Sequence, residues 1–150
     1  MPATPEPAAQ SQPGTVLGFD FGTRLIGVAV GQQLTGGARA LGTVPTGDWA
    51  RLDAMVGDWN PGCLVVGLPL ALDGAEQPMS RAARAFAAEL ERRHGRPVHL
   101  IDERHTSAEA SRRFAARRAA GSARRKHAAA IDAVAAEIIL ETWFAEAHPS

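Results

Sequence analysis

Tyrosine, cysteine and lysine are nearly absent from this sequence of 150 residues, which has no tyrosine, one cysteine and, among 16 basic residues, one lysine, Lys126. The single cysteine, Cys63, excludes an intramolecular disulfide and is typical of proteins in a reducing compartment. No apolar run approaches the roughly 18 residues of a membrane-spanning helix, and the N-terminus lacks the basic and apolar segments of a signal peptide. We therefore expect a cytoplasmic protein without a membrane partner.

The sequence divides into a short tail and one domain. Residues 1–14 contain four of the ten prolines and show no apolar periodicity, which predicts a disordered tail. Residues 15–146 are numerous enough to form one domain with a hydrophobic core.

Apolar spacing in the domain changes from that of strands to that of helices and back. Residues 15–31 form two apolar runs around Gly22, which predicts a β-hairpin. The further predicted elements are a strand over 38–44, a helix over 48–59, a strand over 63–67, a helix over 79–94, a strand over 98–101, a helix capped by Thr106 or Ser107, and a helix over 128–144 with an apolar stripe of Ile131, Val134, Ala135 and Ile138. This order predicts an α/β fold with a mixed five-stranded sheet and helices on both faces.

The first predicted strand carries one acid, Asp20, within an apolar run. Alternation along the strand places Asp20 on the same face as Gly18 and Gly22, and we expect these glycines to clear space for a metal or for backbone. A carboxylate in a core strand costs free energy unless a cation pairs with it. Two interpretations remain, a buried salt bridge to an arginine and a metal ligand.

Further acids lie at the ends of later elements. Asp102 and Glu103 end the last strand, and Asp132 lies about one turn into the last helix. Because adjacent strand residues point in opposite directions, only one of Asp102 and Glu103 faces the site, and the residues alone do not decide which. An ion pair with an arginine is an alternative explanation for Glu103, and the helix dipole is one for Asp132.

These acids predict a metal site if their elements are neighbours. Three carboxylates, from Asp20, Asp132 and one of Asp102 and Glu103, would repel one another unless a cation neutralised them. Oxygen ligands suit Mg²⁺ or Mn²⁺. Two such ions about 4 Å apart activate water and stabilise the leaving oxygen when a phosphodiester is hydrolysed.

Half of the basic residues lie between Arg104 and His127, where eight arginines or lysines accompany one acid, Glu109. Besides Arg104 they are Arg112, Arg113, Arg117, Arg118, Arg124, Arg125 and Lys126. Guanidinium groups bind phosphate in a bidentate manner, and aromatics are scarce, so the segment predicts recognition of a nucleic-acid backbone. A solvated helix face is the alternative. The flanking histidines, His105 and His127, are either proton relays or surface residues.

Four motifs resemble, in order and spacing, those of the YqgF family, also called RuvX; they read LGFDFGTRLIGVAV, VVGLPLALDG, DERHTSAEA and RKHAAAIDAVAAEIIL. The resemblance extends from about residue 16 to residue 144. It implies a ribonuclease H-like fold of the Holliday junction resolvase type. It also implies a cytoplasmic nuclease that matures the 5′ end of pre-16S ribosomal RNA, with branched DNA as an alternative substrate. By this resemblance Glu103, rather than Asp102, joins Asp20 and Asp132 as the catalytic and metal-binding acids.

Two residues depart from the family pattern. His105 stands where the family usually has an apolar residue, and Ala135 stands where the related RuvC resolvases carry a second acid, which weakens the case for junction cleavage. Two other functions also fit the residues. The segment DFGT resembles the phosphate loop of actin-like and sugar-kinase ATPases, although those folds need two such domains. A non-catalytic RNA-binding factor of ribosome assembly is the other alternative.

Overall fold

The computed structural model describes residues 12–104, 112–113, 115–116 and 127–147, and of residues 12–13, 127–132 and 147 it describes the backbone alone. The elements, in chain order, are β1 (Gln12–Phe21), β2 (Leu25–Gln32), β3 (Gly37–Pro45), α1 (Trp49–Trp59), β4 (Pro61–Leu68), α2 (Pro78–His94), β5 (Val98–Asp102) and α3 (His127–Ala147). These elements confirm the predicted ones to within three residues at each end. The helix predicted after Thr106 or Ser107 lies largely outside the described residues, of which 112–113 and 115–116 are helical.

The five strands form one sheet in the order β3-β2-β1-β4-β5. The pairs β1–β2 and β2–β3 are antiparallel, whereas β4 runs parallel to both β1 and β5. The sheet is therefore mixed, as predicted, and the carboxyl ends of β1, β4 and β5 lie at one edge. Ligands bind at this edge in open α/β sheets, and Asp20 and Glu103 both lie there.

Local signals set the ends of the first two helices. The Asp48 carboxylate accepts a hydrogen bond from the Arg51 N–H at 3.1 Å and so caps the start of α1. Asn60, with φ of 48°, ends α1, and Gly95, with φ of 63°, ends α2. No helix in the described part of the chain has both the length and the apolar character needed to cross a membrane.

Helices cover both faces of the sheet, as predicted, and divide the core in two. On one face α1 and α2 cover the strands, and the ring of Phe86 meets that of Phe19 edge to face, with 5.8 Å between centroids. On the other face α3 buries Ile139 and Leu140 against strand residues such as Val16. Alternate residues of the same strands therefore belong to different cores.

The first strand begins at Gln12, three residues before the predicted start of the domain. Gln12 pairs with Pro61 at the start of β4, and the Gly14 carbonyl accepts a hydrogen bond from the Gln33 N–H at 2.8 Å. These backbone contacts place residues 12–14 in the sheet rather than in the predicted tail. Residues 1–11 lie outside the described residues.

The apolar stripe predicted on α3 is confirmed as a buried cluster at Val134, Ala135 and Ile138, but a different side of the helix packs against the sheet. The residues that meet the strands are Ala136, Ile139, Leu140 and Trp143, whereas Val134, Ala135 and Ile138 form a separate buried cluster. Residues 133–140 are all buried. Since this part of α3 is enclosed on every side, its sequence does not show which side faces the sheet.

Candidate active site

Asp20 lies one residue before the end of β1, on the face of the sheet that α3 covers. Side chains alternate along the strand, and Val16, on the same face, packs against α3. The rings of Phe19 and Phe21 point to the other face, where both contact Phe86. Asp20 is only partly exposed. Its carboxylate therefore lies at the boundary between the core under α3 and the solvent.

Glu103 follows β5 and brings a second carboxyl group to Asp20. The Glu103 N–H donates to the Leu68 carbonyl at 3.1 Å, which continues the pairing of β5 with β4 one residue beyond Asp102. Glu103 therefore shares its face with Ile101, which is buried under α3. Its carboxyl group forms a hydrogen bond with that of Asp20. The two acids thus meet across β4, the strand between them.

Asp102 points the other way and binds Arg104. Arg104 Nε and Nη2 each lie 2.7 Å from Asp102 Oδ2, and the Arg104 N–H donates to Oδ1 at 2.9 Å. Arg104 Nη1 also donates to the carbonyl oxygen of Leu72 at 3.0 Å. The structure thus assigns different contacts to Asp102 and Glu103, which the sequence alone did not distinguish. Glu103 contacts Asp20, whereas Asp102 binds Arg104, which also contacts the loop after β4.

Burial and the neighbouring carboxylate hold Glu103 in its protonated form. Burial makes the largest contribution, and the charge of Asp20 and the hydrogen bond with Asp20 add to it, which raises the pKa of Glu103 from 4.5 to about 9. At neutral pH the two carboxyl groups therefore share one proton. A cation in place of that proton would allow both groups to ionise.

Gly67 in β4 provides the space that the Glu103 carboxyl group occupies. A Cβ atom on Gly67 would lie 2.7 Å from Glu103 Oε1 and 2.5 Å from Cδ1 of Ile139 in α3. A side chain there would therefore displace the carboxyl group, the helix or both. Gly67 was not among the predicted site residues, although a lone glycine inside an apolar strand is a recognised signal of close approach by another group.

The two glycines beside Asp20 serve other purposes. A Cβ atom on Gly18 would lie 2.5 Å from Cγ of Leu140, so Gly18 makes room for α3. A Cβ atom on Gly22 would lie 2.6 Å from the carbonyl oxygen of Leu25, so Gly22 allows the close turn into β2. Close approach of backbone is therefore confirmed at Gly22, whereas at Gly18 the space is filled by Leu140 of α3.

Asp132, the third predicted acid, lies in the second turn of α3, where the structure describes the backbone alone. Ile139 lies over Gly67, near the carboxyl end of β4, and Phe144 lies over Gly31, near the end of the antiparallel strand β2. The helix therefore begins toward the edge where Asp20 lies and runs away from it. Among the side chains that the structure describes, no three potential metal ligands come together.

Three of the eight basic residues predicted to bind nucleic acid lie within the described residues, namely Arg104, Arg112 and Arg113. Arg113 Nη1 lies 2.9 Å from Glu137 Oε2 and 3.0 Å from Glu141 Oε1, both on α3. Glu137 is buried, so this ion pair fixes residue 113 against α3, whereas Arg112 is exposed. Arg117, Arg118, Arg124, Arg125, Lys126 and His105 lie outside the described residues, and of His127 only the backbone is described.

Sequence comparisons relate almost the whole chain to known proteins. The family model RuvX, described as Holliday junction resolvase, matches residues 14–146. A protein of Xylella fastidiosa (strain M23), named as a pre-16S rRNA nuclease, is 49% identical over 146 residues, which cover 95% of this chain and 94% of the relative. A protein of Xanthomonas axonopodis pv. citri (strain 306) with the same name is 50% identical over 145 residues, which cover 94% of each chain.

Structural comparison gives the same kind of fold. The structure of Thermus thermophilus RuvC in complex with a Holliday junction substrate matches with a TM-score of 0.51 at 21% identity, over 87% of this chain and 92% of RuvC. A second Thermus thermophilus RuvC structure matches with a TM-score of 0.50 at 18% identity, over 87% and 93% of the two chains. At these identities the likeness concerns the fold alone, and it confirms the predicted ribonuclease H-like fold.

Proposed function

Because the chain belongs to the RuvX family of Holliday junction resolvases, we propose that it is a nuclease whose active site lies where β1 and β5 end. The observation that carries this assignment is the hydrogen-bonded pair of Asp20 and Glu103. Two acids that share a proton inside a packed fold add little to its stability compared with apolar residues of similar size. Groups with strongly shifted pKa values in such a position are typical of catalytic sites.

The donor set fits Mg²⁺ or Mn²⁺. Asp20 and Glu103 offer carboxylate oxygens, the ligands that these hard cations prefer. The proton that the two carboxyl groups share shows that positive charge between them is favourable. We assign Asp132 as the third ligand, supported by the position of the start of α3 at the same edge of the sheet. When bound, such a cation supplies an activated water and stabilises the charge that develops on the phosphate oxygens.

The protein residues around this site have distinct parts in the proposed reaction. Asp20 and Glu103 act as charged ligands once the proton on Glu103 has been released. Asp102 and Arg104 do not share that task, because they bind each other and hold the Leu72 carbonyl. Their contacts connect the loop after β4 to the end of β5.

We propose pre-16S ribosomal RNA as the substrate and the cytoplasm as the location. Relatives about half identical over nearly the whole chain carry the name of nucleases acting on that RNA. The basic segment between Arg104 and His127 starts directly after Glu103 and supplies the charge that binding a phosphate backbone requires. A Holliday junction is the second candidate substrate, favoured by the description of the family.

The test is cleavage by the purified protein in Mg²⁺ or Mn²⁺, with a 5′ fragment of precursor 16S rRNA and a four-way DNA junction as substrates. We expect the wild-type protein to cut the RNA and Asp20→Asn to leave it intact. Asp58→Asn is the matched control, because Asp58 is exposed on α1, on the far face of the sheet.

Each of the other results has a definite meaning. Undiminished cleavage by Asp20→Asn contradicts the proposed site. Preferential cutting of the junction supports the second candidate. Salt-sensitive RNA binding without any cutting, and without measurable affinity for Mg²⁺, identifies an RNA-binding factor instead of a nuclease.

A further inference from the structure

We infer that Gly67 is a positioning residue for the carboxylate pair, because the absence of a side chain at residue 67 creates the gap through which Glu103 reaches Asp20. The inference rests on the proposed function for its connection with catalysis. The geometric part of it, that residue 67 sets the position of the Glu103 carboxyl group, can be tested whether or not the protein is a nuclease.

The strand order makes such a gap necessary. Asp20 lies on β1 and Glu103 follows β5, and the two strands are separated by β4. A side chain on the α3 face of β4, at the level of the acids, would stand between them. Gly67 occupies this position, since it pairs with Ile101, two residues before Glu103.

The gap at Gly67 is filled by two groups of different kinds. Glu103 Oε1 and Cδ would lie 2.7 Å and 2.9 Å from a Cβ atom on Gly67, and Cδ1 of Ile139 would lie 2.5 Å from it. Cβ atoms in proteins essentially never approach other heavy atoms so closely. Any residue other than glycine would therefore have to move the carboxyl group on one side and α3 on the other.

The backbone of residue 67 does not by itself require glycine. The glycines with positive φ among the described residues are Gly36, Gly42, Gly47, Gly74 and Gly95, and Gly67 is not one of them. Glycine inside a strand lowers stability relative to alanine, so it is unfavourable at this position on propensity alone. Space for Glu103 and Ile139 is the remaining reason for glycine at residue 67.

A pair of substitutions separates the two contacts. Gly67→Ala introduces both clashes, whereas adding Ile139→Val removes Cδ1 and with it the contact to α3. In the double variant G67A/I139V the close contact with Glu103 is the one that remains. Ile139→Val alone is the reference for the loss of a methyl group, and Gly57→Ala is a control on α1, where an added Cβ meets nothing within 4 Å.

The experiment measures Tm, Mn²⁺ affinity, kcat and KM for these variants, and a crystal structure of G67A/I139V. We expect G67A/I139V to melt close to I139V but to bind Mn²⁺ about 10-fold to 100-fold more weakly. We also expect kcat to fall about 10²-fold with little change in KM, because the displaced ligand group does not bind the rest of the substrate. In the crystal structure the Glu103 carboxyl group is expected to lie apart from Asp20.

A Glu103 carboxyl group that keeps its hydrogen bond to Asp20 in G67A/I139V overturns the inference. So does Mn²⁺ affinity equal to that of I139V. If wild-type protein neither binds Mn²⁺ nor cuts RNA, the proposed function fails, and the crystal structure still decides whether residue 67 positions Glu103. If G67A/I139V does not fold, the triple variant with Glu103→Ala should fold, and a triple variant that is equally unfolded contradicts the inference.

Discussion

The two faces of β1 and β4 are made from alternate residues of the same strands, yet only one of them holds a pair of acids. The face under α1 and α2 carries large apolar side chains such as Phe19, whose ring packs against Phe86. The face under α3 carries Gly18, Asp20 and Gly67 at the corresponding positions, and Glu103 reaches into it. Both faces therefore bury apolar side chains under helices, but only the α3 face also makes room for two acids.

This difference shows how a small domain can hold a costly site. Burying a carboxyl group beside another lowers stability, and each glycine in a strand removes apolar contact. Burial of large side chains on the opposite face offsets these losses, at about 1.5–3 kcal/mol for each fully buried side chain. Because the alternation is so strict, neighbouring residues of one strand are expected to respond to mutation in opposite ways.

The largest effect is expected at Asp20, on the α3 face. Asp20→Asn should lower the rate of RNA cleavage about 10³-fold, since it removes one charged ligand of the proposed cation. The melting temperature should stay within about 2 °C of wild type, because no apolar contact is lost. Initial rates and thermal unfolding check this prediction, and a variant that loses stability and cleavage together would contradict it.

The neighbouring residue, Phe19, is expected to show the reverse. Phe19→Ala should lower the free energy of unfolding by about 3–5 kcal/mol because it leaves a cavity against Phe86. For a domain of this size the corresponding fall in Tm is about 10 °C. Below its Tm the variant should cut RNA at nearly the wild-type rate.

Leu34→Ala is the matched control for Phe19→Ala, since Leu34 is 95% exposed and its removal should leave Tm unchanged. Denaturant unfolding and cleavage rates measured on the same samples make the comparison. A well-folded Phe19→Ala protein that no longer cuts RNA would contradict the prediction that residues on this face affect stability alone.

A smaller effect is expected from the titration of Glu103 in metal-free protein. Folding raises the pKa of Glu103 from 4.5 to about 9, so the folded state favours the protonated form. The resulting stabilisation is complete below pH 4.5 and is lost as the pH rises through about 9. With EDTA present, the Tm of wild type should therefore fall relative to that of Glu103→Gln across this range. Parallel curves for the two proteins would contradict the shared proton.

The smallest effects are expected from the two neighbouring arginines at residues 112 and 113. Arg113→Ala removes the ion pair between Arg113 and the buried Glu137, and because Arg113 is about a quarter exposed we expect a loss of only about 1 kcal/mol. Arg112→Ala should reduce the salt dependence of RNA binding by about one phosphate contact, a slope change of roughly 0.7. Binding isotherms between 50 and 200 mM salt test this difference, and equal effects of the two variants on RNA affinity would contradict it.

Most of the fold could be predicted because its signals are local. Asp48 caps α1 and Gly95 ends α2 within a few residues of the apolar patterns that they bound. Strand alternation likewise placed Asp20 and Phe19 on opposite faces. The start of β1 was missed because its first residues are held by pairing with Pro61, about 50 residues later, and carry no apolar pattern.

The site was harder to predict because its geometry depends on distant parts of the chain. Whether Asp102 or Glu103 faces Asp20 is decided by one backbone hydrogen bond to Leu68, which continues β5 past its apolar residues. The partner of Gly18 is Leu140, more than 120 residues away, and sequence alone does not show which side of α3 meets the sheet. Family resemblance named Glu103 correctly as the acid that meets Asp20, but the role of Gly67 emerges only from the assembled sheet.

The distance along the chain between β1 and α3 has a consequence for folding. The helix packs against the β1–β2 hairpin, although α1, β4, α2 and β5 lie between them along the chain. Contacts between such distant segments form late, since the chain between them must first close a long loop. Before α3 docks, Asp20 lies on an uncovered face of the sheet. On this topology, we expect the candidate site to be completed among the last steps of folding.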